Sequence, residues 1–242
     1  MGFQLTRTID FFQSDTAGYV KLDALMRILQ TAALDHVRLA DRDSRIIMAD
    51  GFAWILNKVA LTIFRRPFYG ETLTVDTWHR GIKGFKSFRE YEIRAGAEKV
   101  AAVSSSWLYL ELARRKVVKV PLETDELYGL RPDLALDLDI EQWRPDKKLQ
   151  PTFVMDITTR NSDYDMLGHV NNAAYFDYLD TLIKRTARGP AAVKTILIQY
   201  NKEIGGDITR IRAGTAVNPA GGRSFIIYDD AQVYACGDIV FD

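Results

Sequence analysis

The chain has 242 residues, 47% of them hydrophobic and 26% charged, with 32 Lys and Arg against 32 Asp and Glu. This composition is that of an ordinary globular protein, and it excludes disordered, collagen-like and disulfide-stapled chains. A net charge of zero supplies no overall field for holding DNA or an anionic membrane. Cys236 is the single cysteine, so neither an internal disulfide nor a cysteine-only metal cluster can form.

The apolar runs are all shorter than the ~20 residues that a membrane-spanning helix needs. The segment Met1–Gly18 carries charged residues and has no apolar central region, so we interpret it as mature structure and not as a signal peptide. A single cysteine suits a reducing compartment. These features predict a cytoplasmic protein without a membrane span.

Two six-residue words, Asp15–Val20 and Asp165–Val170, share Asp, Gly and Val in the same order at an offset of 150. An amphipathic helical pattern follows each word. The apolar stripe of the first is Leu22, Leu25, Met26, Leu29 and Ala33, and that of the second is Phe176, Leu179, Ile183 and Ala187. Asp23 and Asn172 are the predicted N-caps.

Strand patterns follow each helix, with period-2 alternation clearest over 88–93 and 103–112. Gly70 matches Gly206 at an offset of 136, and 99–102 matches 232–235 at an offset of 133. Three ordered matches indicate a duplicated unit whose second copy has shorter loops. A long helix needs a broad apolar surface, which an antiparallel sheet wrapped around it supplies. The predicted class is therefore α+β, with two such units.

Residues 121–151 have the composition of a linker, because they hold four prolines and many acidic residues. Apolar residues within the segment predict that it lies against a surface, namely Leu127, Leu130, Leu134, Leu136 and Trp143. The predicted organisation is an N-terminal domain over 1–120, this linker, and a C-terminal domain over 152–242.

The segment from Asp163 to Asn172 gathers polar groups just before the second predicted helix. Helix N-termini present free N–H groups to a developing oxyanion, and a carboxylate with the imidazole of His169 can activate water. Gly168 allows close approach of the backbone to a substrate. The same residues would also form a capping cluster without any chemistry.

A comparison of the two halves favours a catalytic site over a capping cluster. Where the second half has His169 and Glu203, the first has Tyr19 and Pro67, although Asp15 is retained. This pattern predicts one working site and one degenerate site. Of the other histidines, His36 is predicted to lie at a helix end where the dipole favours its charge, and His79 to be structural or solvent-facing.

The stretch 160–175, with Gln199–Asp207 downstream, resembles the fatty acyl–acyl-carrier-protein thioesterases of plants and bacteria over nearly the whole chain. The word Asp165-Met-Leu-Gly-His-Val-Asn-Asn172 is also similar to the wider hotdog thioesterase superfamily. The resemblance implies a tandem hotdog fold, with two long helices each wrapped by antiparallel sheet and the two halves packed as a pseudo-dimer.

The resemblance also implies the catalytic residues Asp165, His169 and Glu203, with Gly168 and Asn171 supporting the site. Leu167 replaces an expected asparagine, and Ile204 replaces a cysteine of many plant members, which excludes a cysteine nucleophile there. The implied reaction is hydrolysis of fatty acyl–acyl carrier protein by activated water, with N–H groups near Gly168 and His169 stabilising the oxyanion. Attack by Asp165 itself to form an anhydride stays open.

The implied partner is acyl carrier protein bearing a phosphopantetheine-linked chain, and neither a cofactor nor a metal ion is implied. Residues 65–119 contain twelve basic and six acidic side chains, including Arg114, Arg115, Lys116 and Lys119, which favours docking of an acidic partner. The same excess would also suit a solvated strand-end surface. Possible lining residues for the acyl chain are Leu25, Met26, Leu29 and Ala33, which plain core packing would also explain.

Three alternatives remain at this stage. The nearest is hydrolysis of acyl-coenzyme A by the same chemistry. A second is a non-catalytic hotdog protein that binds an acyl ligand, which the intact acidic and imidazole groups disfavour. A third is a hotdog dehydratase, whose motif the Gly-His-Val-Asn-Asn word does not resemble. The sequence leaves a monomer and a homodimer equally open.

Overall fold

The computed structural model describes residues 2–186 and 192–242 and divides the chain into two compact units. Unit 1 comprises Met1–Val20 and Arg27–Ile140, and unit 2 comprises Lys21–Met26 and Glu141–Asp242. The predicted helix position Ala187 lies outside the described residues. The predicted domain boundaries at 120 and 151 remain predictions.

Unit 1 contains five strands that form an antiparallel sheet in the order β1-β3-β4-β5-β2. A sixth, three-residue strand, β6, pairs with β5. The strands are β1 (Phe3–Thr8), β2 (Phe52–Ile63), β3 (Thr72–Lys83), β4 (Lys86–Ala95), β5 (Glu98–Glu111) and β6 (Lys116–Val118). The helices are α1 (Leu22–Leu39), which belongs to this unit from Arg27 onward, α2 (Ser44–Ala49) and α3 (Thr124–Leu127), with a 3₁₀ turn at Phe11–Gln13.

Unit 2 has five strands in the antiparallel order β7-β9-β10-β11-β8. They are β7 (Phe153–Thr158), β8 (Val193–Tyr200), β9 (Arg210–Val217), β10 (Arg223–Tyr228) and β11 (Val233–Phe241). The helix α4 covers Ala174–Thr186, after a 3₁₀ turn at Asn161–Asp163. Taken in chain order, the strands of the two units have the same neighbours, as expected of a duplicated unit.

The amphipathic patterns place the helices correctly. The predicted stripe of α1 is buried throughout, with Leu25 fully enclosed, and Phe176, Leu179 and Ile183 of α4 are buried as well. Burial of each large aliphatic side chain contributes roughly 1.5–3 kcal/mol. The fold is therefore a helix-on-antiparallel-sheet architecture of hotdog type, as predicted.

The predicted helix caps were wrong. The helix α1 begins at Leu22, so Asp23 lies inside its first turn. The helix α4 begins at Ala174, two residues after Asn172. Before this helix the Asn171 side-chain Oδ1 accepts the N–H of Ala173 at 2.9 Å. The side-chain acceptor at the start of α4 is therefore Asn171, one residue before the predicted cap Asn172.

The acidic segment predicted as a linker supplies one hydrogen-bond donor to each of two carboxylates on the strands, the buried Glu90 and the part-buried Asp238. In unit 1 the Glu90 carboxylate accepts the hydroxyl of Ser104 and the backbone N–H of Ala135. In unit 2 the Asp238 carboxylate accepts the hydroxyl of Ser224 at 2.6 Å and the indole N–H of Trp143 at 2.8 Å. In unit 1 the acid lies on β4 and the serine on β5, whereas in unit 2 the serine lies on β10 and the acid on β11, the equivalent strands.

In the part of the chain that the structure describes, no helix combines the length and the apolar character that crossing a membrane would require.

Candidate active site

The loop before α4 is a tight turn organised by Asp165. Its backbone N–H donates to the His169 carbonyl at 2.9 Å, and the Gly168 N–H donates to the Asp165 carbonyl at 3.0 Å. The Asp165 Oδ1 accepts the N–H of Leu167 at 2.9 Å. Gly168 has φ +73°, a conformation that L side chains adopt at a cost, which explains the glycine. The other carboxylate oxygen of Asp165, Oδ2, takes no part in this turn and contacts Asn171 instead.

His169 and Glu203 meet at this turn. The His169 Nε2 lies 3.4 Å from the Glu203 Oε2, and the two side chains are 29% and 31% exposed. Backbone pairing sets this approach, because the Val170 N–H donates to the Ile204 carbonyl at 2.9 Å and His169 forms a bridge with Gly205. The turn and the segment after β8 therefore hold an imidazole and a carboxylate together at a solvent-accessible position.

Asp165 joins this pair through the backbone of the turn, and its carboxylate contacts Asn171. The Asn171 Nδ2 donates to the Asp165 Oδ2 at 3.5 Å, at the outer limit of a hydrogen bond. Asn171 thus contacts the carboxylate with its amide nitrogen and the start of α4 with its amide oxygen. Leu167, in the place of the expected asparagine, is 46% exposed and contributes no polar group.

Gly168 lies in the turn and not in the helix that follows it. Its N–H is already engaged with the Asp165 carbonyl, and α4 begins six residues after Gly168. The site is therefore a tight turn ahead of the helix and not the helix mouth itself. The predicted stabilisation of an oxyanion by N–H groups near Gly168 and His169 therefore stays a prediction.

Asp163 is a further residue of this loop that the sequence reasoning did not single out. It is only 1% exposed and accepts the N–H of Arg160 at 2.8 Å and the hydroxyl of Tyr178 at 2.7 Å. Its carbonyl accepts the Asn171 N–H at 2.7 Å. Asp163 therefore fixes both ends of the loop to α4. The sequence feature that could have indicated Asp163 is an acidic residue two positions before Asp165, with a tyrosine, Tyr178, on the following helix.

Buried tyrosines lie near Glu203. Burial raises the pKa of Tyr175, and the charges of Tyr234 and Glu203 add to that rise, so the phenol stays protonated. The rings of Tyr175 and Tyr200 pack edge to face with centroids 5.1 Å apart, and the Tyr200 hydroxyl donates to the Asn172 carbonyl at 3.0 Å. Ile204 is fully buried and belongs to the core.

The equivalent turn in unit 1 corrects the predicted register between the halves. The Val20 N–H donates to the Pro67 carbonyl, as the Val170 N–H donates to the Ile204 carbonyl. Pro67 therefore corresponds to Ile204, at an offset of 137. The residue equivalent to Glu203 is Arg66 and not Pro67. By the same bonding pattern Gly70 corresponds to Asp207, and the carbonyl of Val100 corresponds to that of Tyr234.

The unit 1 turn is closed by its own side chains. The Arg66 guanidinium lies 3.1 Å from the Asp15 carboxylate, donates to the Val20 carbonyl at 2.7 Å and lies over the Tyr19 ring. A Cβ added to Gly18 would lie 2.5 Å from the Phe68 ring, whereas one added to Gly168 would meet no atom of the described residues within 4 Å.

The other two histidines lie inside unit 1. His36 is 6% exposed, and its Nδ1 accepts from the Arg89 guanidinium at 2.8 Å. Burial and then the Arg89 charge lower the pKa of His36 to about 4, so the predicted dipole-stabilised cation was wrong. His79 is buried and bonds the Asp125 carboxylate at 2.7 Å, which is a structural role.

Much of the basic excess in residues 65–119 is paired. Ion pairs link Arg65 to Glu71, Arg80 to Glu90, Lys99 to Glu92 and Arg114 to Glu111. A smaller basic group lies where the β3–β4 hairpin meets the end of β6. The N–H of Val120 donates to the Gly84 carbonyl at 3.0 Å, between Lys83 and Lys86 and next to Lys119.

Comparisons with known proteins agree with the fold. The family model of the Acyl-ACP thioesterase N-terminal domain matches residues 2–128, and that of the Acyl-ACP thioesterase C-terminal domain matches residues 146–220. The helix-on-sheet units define a hotdog-type protein. The chain belongs to the acyl-ACP thioesterase family.

Among its relatives is the palmitoyl-acyl carrier protein thioesterase of Arabidopsis thaliana, 25% identical over 205 residues, or 77% of this chain and 48% of the relative. The enzyme of that name from Cuphea hookeriana is 24% identical over 220 residues, or 83% of this chain and 51% of the relative. The chain spans about half the length of these curated relatives.

Two solved structures share the fold. The 12:0-ACP thioesterase from Umbellularia californica has a TM-score of 0.86 at 17% identity, covering 100% of this chain and 97% of that one. An acyl-ACP thioesterase from Bacteroides thetaiotaomicron has a TM-score of 0.84 at 17% identity, covering 100% of this chain and 98% of that one.

Proposed function

We propose that this protein hydrolyses the thioester of a fatty acyl chain on acyl carrier protein and releases the free fatty acid. The observation that carries the proposal is the 3.4 Å approach of the His169 imidazole to the Glu203 carboxylate, beside Asp165 on a solvent-accessible turn. Membership of the acyl-ACP thioesterase family and the printed names of the relatives support it.

In this mechanism Glu203 and His169, with Asp165, orient a water molecule toward the thioester carbonyl carbon. The water oxygen bonds to carbon, its proton passes to the Glu203–His169 pair, and the carbon–sulfur bond then breaks. The thiolate is a stable leaving group and takes up a proton after departure. We assign Asn171 the support of Asp165, because its amide reaches both that carboxylate and the start of α4.

The partner in this proposal is the acidic acyl carrier protein with its phosphopantetheine arm. The docking candidate is the basic group at the β3–β4 hairpin and the end of β6, together with Lys116 at the start of β6, because Lys116 and Lys119 are exposed. Opposite charge steers association and fixes the orientation of the partner.

We assign the acyl chain to the surface of α1, along Leu25, Met26, Leu29 and Ala33, all of which are buried. Burial is common to core packing and to a closed tunnel wall, so this lining stays a prediction. The packing of the two copies as a pseudo-dimer and a cytoplasmic location also stay predictions.

The test is a panel of acyl–acyl-carrier-protein thioesters of graded chain length, scored by release of free thiol. Matched coenzyme A thioesters form the second arm. We expect turnover of the carrier-protein substrates and a clear preference for them at matched chain length. Preference for coenzyme A substrates would overturn the assigned carrier. Binding of acyl chains without thiol release would overturn the assigned hydrolysis.

A further inference from the structure

Tyr175 lies in the first turn of α4 and packs against two other tyrosines of unit 2. The residue is only 2% exposed. Its ring meets that of Tyr200 edge to face, with centroids 5.1 Å apart, and that of Tyr178 at a tilt, with centroids 6.1 Å apart. These contacts fix the direction of the phenol, because a ring that is close-packed on two sides has little freedom to change its rotamer.

The end of β8 brings Glu203 close to this ring. Tyr200 is the last residue of β8, and Glu203 follows three residues later. The Tyr200 hydroxyl donates to the Asn172 carbonyl at 3.0 Å, which ties β8 to the segment just before Tyr175. The Glu203 carboxylate is near enough for its charge to contribute to the raised pKa of Tyr175. The phenol therefore lies near the carboxylate of the proposed catalytic pair.

The Tyr175 hydroxyl has no hydrogen-bond partner within the part of the chain that the structure describes. The hydroxyls of the neighbouring Tyr178 and Tyr200 donate to a carboxylate at 2.7 Å and to a carbonyl at 3.0 Å. Buried tyrosine hydroxyls usually find such a partner, so an exception needs an explanation. The Tyr175 hydroxyl is not fully enclosed by protein atoms, so a bound molecule can supply the missing acceptor.

The first copy shows that this helix position does not require a hydroxyl. Tyr175 follows Val170 by five residues, and Leu25 follows the equivalent Val20 by five. Leu25 is fully buried in the first turn of α1, as Tyr175 is nearly fully buried in the first turn of α4. An apolar side chain therefore satisfies the packing at this position. The phenol oxygen is an addition in the copy that carries the imidazole–carboxylate pair.

The oxyanion formed in thioester hydrolysis needs hydrogen-bond donors, and most backbone N–H groups of residues 165–171 are already engaged. Five of them donate to groups within the protein, namely those of Asp165, Leu167, Gly168, Val170 and Asn171. A neutral phenol is a suitable further donor, because it gives a hydrogen bond without carrying a charge. Burial raises the pKa of Tyr175 and so keeps its phenol neutral.

We propose that Tyr175 is a further catalytic residue, whose hydroxyl donates a hydrogen bond to the thioester carbonyl oxygen and to the oxyanion that forms there. The water oxygen bonds to the carbonyl carbon, the π electron pair moves to the carbonyl oxygen, and the water proton passes to the Glu203–His169 pair. Tyr175 keeps its proton throughout. The oxyanion then re-forms the carbon–oxygen double bond and expels the thiolate, which takes up the proton. This inference rests on the proposed hydrolysis.

The variant Tyr175→Phe removes only the hydroxyl and keeps the ring that packs against Tyr200. For the fastest substrate of the acyl–acyl-carrier-protein panel, we expect kcat to fall by roughly 100-fold or more, the scale of one oxyanion donor, and KM to change much less. The free energy of unfolding should not fall, since no internal hydrogen bond is lost. The matched control is Tyr234→Phe in the same unit, whose hydroxyl bonds Asp229 and Gln232. This control should lose stability and keep kcat.

A binding measurement tests the hydroxyl independently of turnover. It compares two stable analogues of the acyl-pantetheine thioester: a ketone, in which a methylene group replaces the sulfur, and a thioether, which lacks the carbonyl oxygen. We expect Tyr175→Phe to weaken binding of the ketone by roughly 5- to 10-fold, the scale of one hydrogen bond, and to leave binding of the thioether unchanged.

The outcomes separate this inference from the proposed function. Full kcat in Tyr175→Phe, an equal fall in kcat in Tyr234→Phe, or equal weakening of the two analogues would overturn the role of Tyr175. A wild type that hydrolyses no thioester but binds the ketone through the Tyr175 hydroxyl would overturn the hydrolysis and retain the carbonyl contact. A wild type that neither hydrolyses a thioester nor binds the ketone would overturn both.

Discussion

Arg66 and Glu203 occupy equivalent backbone positions in the two units, yet they carry opposite charges. Glu203 faces His169 at 3.4 Å, whereas Arg66 faces Asp15 at 3.1 Å and lies over the ring of Tyr19. The first copy thus uses its retained acid in an internal ion pair. The second copy keeps its acid beside an accessible imidazole–carboxylate pair.

This relationship predicts different outcomes for one substitution made in both copies. The Oδ1 atoms of Asp15 and Asp165 each accept the N–H two residues on at 2.9 Å, and asparagine retains that acceptor. We expect Asp165→Asn to lower thioester turnover by roughly 100-fold, the scale of acid–base groups, and Asp15→Asn to leave it nearly unchanged. The measurement is thiol release by folded protein. Equal losses would place the working site elsewhere.

Removal of either partner of the His169–Glu203 pair is expected to reduce turnover. His169→Gln and Glu203→Gln should each lower kcat by roughly 100-fold or more, because the general base is lost while side-chain size is nearly retained. The double variant should lose little beyond either single variant, since groups acting as a unit are not additive. Unfolding in denaturant checks that stability is unchanged. Full activity in either variant would remove that residue from the mechanism.

Charge reversal at the exposed lysines after β5 tests the docking surface. We expect Lys116→Glu/Lys119→Glu to raise KM for acyl–acyl-carrier-protein by about 10-fold or more at low salt, because opposite charge steers the encounter. KM for the matched acyl-coenzyme A should change much less. A useful control is Lys194→Glu, a reversal in unit 2 at a residue paired with Asp242. If both substrates were affected equally, docking at this surface would be excluded.

Stability should fall in acid through His36. Its pKa is about 4 in the folded protein and 6.5 in the unfolded chain, so the unfolded chain binds the proton first. The contribution is present above pH 6.5 and is lost as the pH falls toward 4, by about 3 kcal/mol in total. The His36→Gln variant should show a shallower decline in the free energy of unfolding.

The comparison of variant and wild type isolates His36 from other groups. Burial raises the pKa of Glu90, which acts in the opposite direction as the pH falls, and burial lowers the pKa of His79, which acts in the same direction. Both groups are present in each protein. Parallel pH profiles of the wild type and His36→Gln would show that His36 does not contribute.

The two turn glycines should differ in their tolerance of alanine. Gly168→Ala places a Cβ in open space at φ +73°, so we expect a cost of about 1 kcal/mol for the backbone alone. Gly18→Ala should cost more, because the Phe68 ring must move from a contact of 2.5 Å. Denaturant unfolding measures both. The pair Gly18→Ala/Phe68→Ala should remove this extra coupling, and its persistence would point to another cause.

Local sequence rules predicted the helices and the duplicated unit because burial periodicity is a local signal. The stripe from Leu22 to Ala33 is buried as predicted. The register between copies was wrong by one residue, because Gly70 and Gly206 are similar in type but only backbone pairing defines equivalence. Asp163 and the burial of His36 were missed, since their partners Tyr178 and Arg89 are distant in sequence.

The serine–carboxylate pairs on the sheets have a consequence for dissecting the molecule. Glu90 is fully buried and takes a backbone N–H from Ala135, and the Lys58 ammonium donates to the carbonyl of Ile140 at 3.2 Å. A recombinant fragment cut at residue 120 would remove both of these hydrogen bonds from side chains that are buried in the intact chain. Any expression boundary for the first half therefore belongs beyond Ile140.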